Sequence, residues 1–216
     1  MKSAEIINRI KEIGVVPVVR ASSSEEAMEA IEAVKAGGIN VLEITMTVPG
    51  AIRLIEQVTN RYGNDVLVGA GTVLDPETAR ACILAGAQFI VSPSLNVATI
   101  ELCKRYSIPV TPGALTPTEV VTAWQAGADV VKVFPCNALG GASYLKSLKA
   151  PFPQIELIPT GGVNLNTAAD FIKAGAMALG VGGDLVDLKL LREGKGSIIT
   201  ERAAEFLEIV KKARAS

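Results

Sequence analysis

The stretch "ADVVKVFP", Ala128 to Pro135, sets a lysine at the centre of an otherwise apolar, β-branched run. Read as a strand, its alternation puts Val130, Lys132 and Phe134 on one face and Val131 and Val133 on the other. A buried ammonium group costs free energy unless it is paired, so Lys132 asks for a partner or a purpose. Similar short runs recur along the chain. They are "VVPVVR" (15–20), "VLEITM" (41–46), "LVGAGT" (67–72), "FIVSPS" (89–94), "VTPGAL" (110–115), "LIPTGG" (157–162) and "ALGVGG" (178–183). Each reads as a strand.

Between these runs lie segments of helical period with recognisable ends. "SSSEEAMEAIEAVKAGG" opens on Ser24 as N-cap, with acidic residues in the first turn, and closes on Gly37-Gly38. "DPETARACILAGA" has Asp75 as N-cap, Pro76 at the first helical position and Gly86 as terminator. "TPTEVVTAWQAGA" repeats the design with Thr116, Pro117, Glu119 and Gly127, and "NLNTAADFIKAGA" does so from Asn166 to Gly175. The unit of strand, loop, capped helix and "AGA" or "AGG" ending occurs about eight times without a linker. Near-continuous apolar strands imply burial on both faces, as in a parallel sheet covered by helices. The expected fold is an α/β (β/α)8 TIM barrel, one domain over residues 1–216, with an additional N-terminal helix in "MKSAEIINRIKEIG". A doubly wound open sheet is the competing topology, but "VVPVVRASSSEE" lacks the glycine-rich turn that such a sheet often carries after its first strand.

The composition narrows the function. The chain has 216 residues, 49% of them hydrophobic, a formal net charge of −1 and a mean hydropathy of +0.38. Charged residues interrupt every apolar run well short of the roughly 18 residues that a membrane helix needs. No secretory signal core is present, so a cytoplasmic protein is expected, with no membrane partner. Without a basic cluster, no nucleic-acid partner is expected either. Cys82, Cys103 and Cys136 show no CxxC spacing and read as reduced thiols. There is no histidine, which removes His-based triads and His-ligated zinc or iron. Oxygen-ligated Mg²⁺ or Mn²⁺ remains open on this ground alone.

Alternation then sorts the strand residues. Val16, Val18 and Arg20 share a face, as do Val41, Glu43 and Thr45; Val68, Ala70 and Thr72; and Ile158, Thr160 and Gly162. If the all-apolar faces meet the helices, Lys132, Glu43, Arg20, Thr45, Thr72 and Thr160 converge on one interior. A space-filling Lys132–Glu43 pair is the plain structural alternative. Such pairs are poor stabilisers, because desolvation can exceed the Coulombic gain. Desolvation disfavours an ammonium, so a buried lysine can offer a neutral amine as a nucleophile. An amine condenses with a ketone to an imine, which acts as an electron sink for breaking an adjacent C–C bond. A carboxylate such as Glu43 supplies the proton shuttle, while Arg20 and Thr72 suit a substrate carboxylate. This is the pattern of a metal-free class I aldolase acting on a 2-oxo acid.

The segments "VVPVVRA", "GGINVLEITMT", "VGAGTVLDPE", "GAQFIVSPSL", "TPGALTPTE", "VVKVFP", "PTGGV" and "LGVGGDLV", in this order and spacing, carry a specific resemblance. The sequence resembles the 2-keto-3-deoxy-6-phosphogluconate (KDPG) / 4-hydroxy-2-oxoglutarate (KHG) aldolase family over essentially its whole length. The resemblance implies that Lys132 forms the Schiff base, Glu43 is the acid/base, Arg20 and Thr72 engage the pyruvate end, and Pro93 and Phe134 line the pocket. It also implies a homotrimer, a 4-hydroxy-2-oxo acid as substrate, pyruvate and an aldehyde as products, and no metal or organic cofactor. Two departures stand out. Thr47 occupies a position where members specialised for KDPG often carry a phosphate-binding arginine. Gly183-Asp184 stands where the family often has a serine hydroxyl. The resemblance therefore carries the aldolase chemistry further than it carries recognition of a phosphorylated tail. Gly161-Gly162 and Gly182-Gly183 suit an anion through backbone N–H groups, or else serve as tight strand-to-helix turns. Asp184 reads as the N-cap of a short helix or as a group pointing outward.

Two other functions fit a barrel of this kind: a phosphosugar epimerase or isomerase, and a non-catalytic, engineered trimeric scaffold. The first leaves Lys132 without a covalent role. Trp124 is expected to anchor its helix on the sheet, and Lys146, Lys149 and Arg53 to lie on solvated surface.

Overall fold

The computed structural model describes residues 1–215. Helix α1 (Ser3–Ile13) leads into β1 (Val15–Val19), α2 (Ser24–Ala36), β2 (Val41–Thr45), α3 (Ala51–Tyr62), β3 (Leu67–Gly71), α4 (Pro76–Leu84), β4 (Phe89–Val91) and α5 (Val97–Arg105). Next come β5 (Val110–Thr111), β6 (Gly113–Ala114), α6 (Pro117–Gln125), β7 (Val131–Val133), α7 (Ala142–Lys149), β8 (Leu157–Pro159), α8 (Ala168–Lys173), β9 (Leu179–Val181), α9 (Leu188–Arg192) and α10 (Gly196–Ala215).

The fold is α/β with parallel strands. One sheet has the order β5-β4-β3-β2-β1-β9 and curls into a half-barrel; a second has the order β6-β7-β8. Only Pro112 separates β5 from β6, and Thr160 makes an isolated parallel bridge to Gly180.

The sequence signals act as expected at most helix ends. Asp75 and Thr116 accept from the backbone N–H of Thr78 and Glu119, and Glu119 completes a capping box. The first "AGG" helix is capped by Ser23 and not Ser24, and the helix expected from Asn166 begins at Ala168. The four "AG" endings share one geometry. Gly38, Gly86, Gly127 and Gly175 have φ of 96°, 99°, 97° and 98°, a left-handed conformation that a side chain would strain.

Two apolar layers result. Val15, Leu42, Val68, Val131 and Leu157 pack outward against helix residues such as Ala30, Leu54 and Phe206. The alternate residues Val16, Val41, Leu67, Phe89 and Ile158 pack inward with Ile6 and Ile10 of α1. Strand β3 corrects an expectation: Val68 and Ala70 face the helices, whereas Leu67 packs inward and Gly69 and Gly71 follow it on the inner face. Thr72 follows the strand end at φ 57°, where strand alternation no longer holds. The inner glycines are a packing requirement. A Cβ on Gly69 would stand 2.3 Å from the Phe89 ring, and one on Gly71 would stand 2.7 Å from Glu43 Oε1.

Trp124 also departs from expectation, being 44% exposed. Val120 and Ala123 form the buried stripe of α6, and the next position turns about 100° away from it. Lys149 is not simply solvated, since its ammonium donates to the carbonyls of Pro153 and Ile155 at 3.1 and 2.8 Å.

Candidate active site

Lys132 stands in the middle of β7, opposite Gly113 on one side and Ile158 on the other. Glu43 stands in the middle of β2, opposite Val18 and Gly69. Their side chains are 5% and 4% exposed, and Lys132 Nζ lies 3.7 Å from Glu43 Oε1. That separation exceeds ordinary hydrogen-bond range, and Oε1 is buried without a hydrogen-bond partner. A buried carboxylate oxygen left this way is costly and serves stability poorly. It is suited to accept a proton from something that arrives.

Both groups line a cavity of ≈ 10 Å³, about one water's worth of space. Thr111, Thr160, Phe89, Val91 and Ile10 also line it, with Gly180 at one wall. Glu43 is the only other ionisable lining group. The Phe134 ring centroid is 5.4 Å from Lys132 Nζ, within cation–π range. Cys136 is close in sequence, but burial pushes its thiol up to about 11. It is therefore no rival nucleophile near neutral pH. Burial likewise raises Cys82 to about 11 and Cys103 to about 12.

The expected site residues fall into two groups. Thr160 is 5% exposed and lines the cavity; a Cβ on Gly180 would come within 2.1 Å of its hydroxyl. Thr45 is buried, but its hydroxyl donates to the Val19 carbonyl at 3.2 Å and lies 2.6 Å from the Thr47 hydroxyl. Arg20, Thr72, Pro93, Phe134, Gly161, Gly162, Gly182 and Gly183 do not line the cavity, and each is half-buried or exposed. Arg20 is exposed beyond the end of β1, and its guanidinium approaches Gly182: a Cβ there would stand 3.7 Å from Nη1. No carboxylate pairs with Arg20 among the described residues. The Pro93 backbone abuts Gly113, whose missing side chain leaves that space. Gly161 and Gly162 have φ of 96° and 73° and face Asn137.

Asp184 is exposed in a separate groove with Asn164, Asn166, Asp187 and Arg202. Asp187, and not Asp184, caps α9. Arg202 pairs with Asp187 at 3.6 Å and donates to the Asp184 carbonyl at 3.3 Å, so this groove contains a cation as well as acids. Arg53 is exposed in the first turn of α3.

Sequence reasoning missed Thr111, Phe89, Gly180 and Ile10. Thr111 was within reach, because alternation in "VTPGAL" sets it on the same face as Gly113. Ile10 carried no such signal. Among the described residues, no group of three His, Cys, Asp or Glu is placed to hold a metal. No described helix is long and apolar enough to cross a membrane.

A KDPG and KHG aldolase family profile matches residues 6–201. The chain belongs to that family. It is 34% identical over 206 residues to the 2-dehydro-3-deoxy-phosphogluconate aldolase of Treponema pallidum (strain Nichols), covering 95% of this chain and 97% of that protein. It is 35% identical to the 2-dehydro-3-deoxy-6-phosphogalactonate aldolase of Escherichia coli (strain K12), covering 92% and 95% of the two chains. A solved KDPG aldolase from Legionella pneumophila, with pyruvate captured at low pH as a covalent carbinolamine, is 32% identical. It superposes with a TM-score of 0.85 over 92% of this chain and 96% of that one. Lys132 and Glu43 are the two ionisable groups that line this chain's cavity.

Proposed function

We propose that this protein is a class I aldolase that cleaves 4-hydroxy-2-oxo acids, such as 2-keto-3-deoxy-6-phosphogluconate or 4-hydroxy-2-oxoglutarate, to pyruvate and an aldehyde. The observation that carries this reading is the buried Lys132–Glu43 pair, 3.7 Å apart in a cavity with no other ionisable lining group. The Lys132 amine adds to the C2 ketone, giving a carbinolamine, and loss of water gives the iminium. Glu43 takes the C4 hydroxyl proton as the C3–C4 bond breaks; its electron pair moves into the enamine and the aldehyde departs. Protonation at C3 and hydrolysis release pyruvate and restore the amine. Thr160 and Thr111 are the hydroxyls nearest this chemistry.

Arg20, unpaired at the rim, binds the 2-oxo acid carboxylate together with Thr72. Thr72 is a β-branched residue in a left-handed conformation, the kind of backbone outlier that clusters at functional positions. Thr45 supports the Glu43 strand; Pro93 and Phe134 border the pocket; Gly161, Gly162, Gly182 and Gly183 bound the distal end of the substrate. No metal or organic cofactor enters this mechanism.

The two sheets form one closed (β/α)8 barrel within a single domain, in which β5 and β6 count as one strand and α1 caps the N-terminal ends. The Pro112 interruption and the Thr160–Gly180 bridge support this closure. The assembly is a cytoplasmic homotrimer, with exposed Leu74, Val97 and Trp124 as apolar surface available to neighbouring copies.

Borohydride trapping with pyruvate, followed by peptide mass analysis, tests the central claim. A reduced pyruvyl adduct on Lys132 is expected, and an adduct absent from the folded wild-type chain would reject the imine chemistry. Comparing kcat/KM on phosphorylated and unphosphorylated forms of one substrate then reads the distal end.

A further inference from the structure

The floor beneath Lys132 and Glu43 comes from a helix that sequence reasoning gave no part in the site. Ile10 of α1 lines their cavity with Val16, Phe89 and Ile158, and is 2% exposed. Its helix is fixed on two sides. The Arg9 guanidinium donates to the carbonyls of Asn40, Asn64 and Asp65. From the other flank, Arg214 of α10 donates to the carbonyls of Lys11, Glu12 and Met177. Lys11 is drawn outward to Glu156 at 2.8 Å. Arg9 and Lys11 of α1 are thus engaged outside, and among the residues of α1 only Ile10 lines the cavity.

We propose that Ile10 is a positioning residue for the lysine chemistry, excluding water from the underside of the Lys132–Glu43 pair. The inference rests on the Schiff-base reading above. With ≈ 10 Å³ present, the cavity has space for about one water. Losing the isoleucine side chain opens room for more, because surrounding structure collapses only partly into such a gap. Added water competes for the unpartnered Glu43 Oε1 and loosens the placement of the Lys132 side chain beside it. Glu43 from β2 is the only ionisable group facing Lys132 across the cavity. On α1, Arg9 and Lys11 are held elsewhere, while Arg20 lies at the other end of β1.

The test measures the rate of pyruvate adduct formation under excess borohydride in the full chain and in Ile10→Ser, Ile10→Val and Ile6→Ala. Ile10→Ser is expected to lower the maximal trapping rate about tenfold, within the range that small misplacements at a reacting group cost. The pyruvate concentration giving half-maximal rate should stay unchanged, because the carboxylate-binding end is untouched. Ile10→Val should recover most of the rate. Ile6→Ala removes apolar volume from the same cluster but away from the cavity, so it should lower Tm yet trap at the wild-type rate. Wild-type trapping in Ile10→Ser, or an equal fall in Ile6→Ala, would overturn the role of Ile10. Should Ile10→Ser fail to fold, an unchanged rate in Ile10→Ala overturns it equally. A wild-type chain that forms no adduct overturns the imine reading, and this role with it.

Discussion

The two ends of the strands differ in what they bury. At the N-terminal ends, Ile6, Ile10, Leu67, Phe89 and Met177 close the interior, each 3% exposed or less. At the C-terminal ends the chain passes through Arg20, Thr72, Gly161, Gly162, Gly182 and Gly183, none of them buried. Left-handed backbone occurs at both ends: at Thr72, Gly161 and Gly162 here, with φ of 57°, 96° and 73°, and at Gly38, Gly86, Gly127 and Gly175 in the turns that lead into the strands. The closed end is held by side-chain packing and by arginines bonded to carbonyls. The open end leaves its polar and glycine residues accessible. Lys132 and Glu43 lie between the two ends, in the middle of β7 and β2, with side chains 5% and 4% exposed.

The largest effects are expected from removing the buried pair. Lys132→Ala should abolish pyruvate trapping and aldol cleavage while leaving the circular-dichroism spectrum unchanged; retention of most activity would sink the covalent mechanism. Glu43→Gln should lower kcat by about 10²–10⁴-fold, the usual contribution of a general acid or base, with the adduct at Lys132 still trappable.

Gly71→Ala presses on the same carboxylate, because its Cβ would stand 2.7 Å from Glu43 Oε1. Displacing that carboxylate should cost about 1–3 kcal/mol of stability, as overpacking does, together with a fall in kcat. A normal kcat would mean that Glu43 relaxes without consequence.

At the closed end, Arg214→Ala removes the donors to three carbonyls. Thermal unfolding should show a loss of about 1–3 kcal/mol, the cost of leaving such groups unpaired. The KM for pyruvate should not change.

The smallest effect lies away from both ends. The Arg192 guanidinium beside Glu26 holds its carboxyl down at about 2, helped by the Ser22 backbone N–H. A carboxyl with a lowered folded-state pKa stabilises fully above the ordinary value of 4.5 and loses that contribution as pH falls toward 2. Denaturant titrations of Glu26→Gln should therefore differ from wild type at neutral pH and converge with it across that window. Parallel curves would remove Glu26 from the acid response.

Much of this organisation was legible in the residues. The Ser/Thr/Asp caps and "AG" endings are local devices, written within four residues of the turns they make. Lys132 and Glu43 stood out because period-two alternation fixes which side chains share a face once a strand is recognised. Strand β3 shows where that rule ran out. Thr72 suggested a polar inner face, but the inner positions are Gly69 and Gly71, and their function is to leave room for Phe89 and Glu43. A glycine's reason lies in its neighbours.

The residues by themselves carried the repeating strand–helix unit, the exclusion of histidine chemistry and the inward faces of Lys132 and Glu43, because each follows from composition or from local periodicity. Folding in three dimensions set Ile10 in the lining of the same cavity as Lys132, and left Arg20 exposed outside that lining. It also decided that Trp124 faces outward. The physical reason is that packing across the interior depends on which elements come together in space, and a helix laid over the strand ends contributes its side chains without any periodic mark of where they will land.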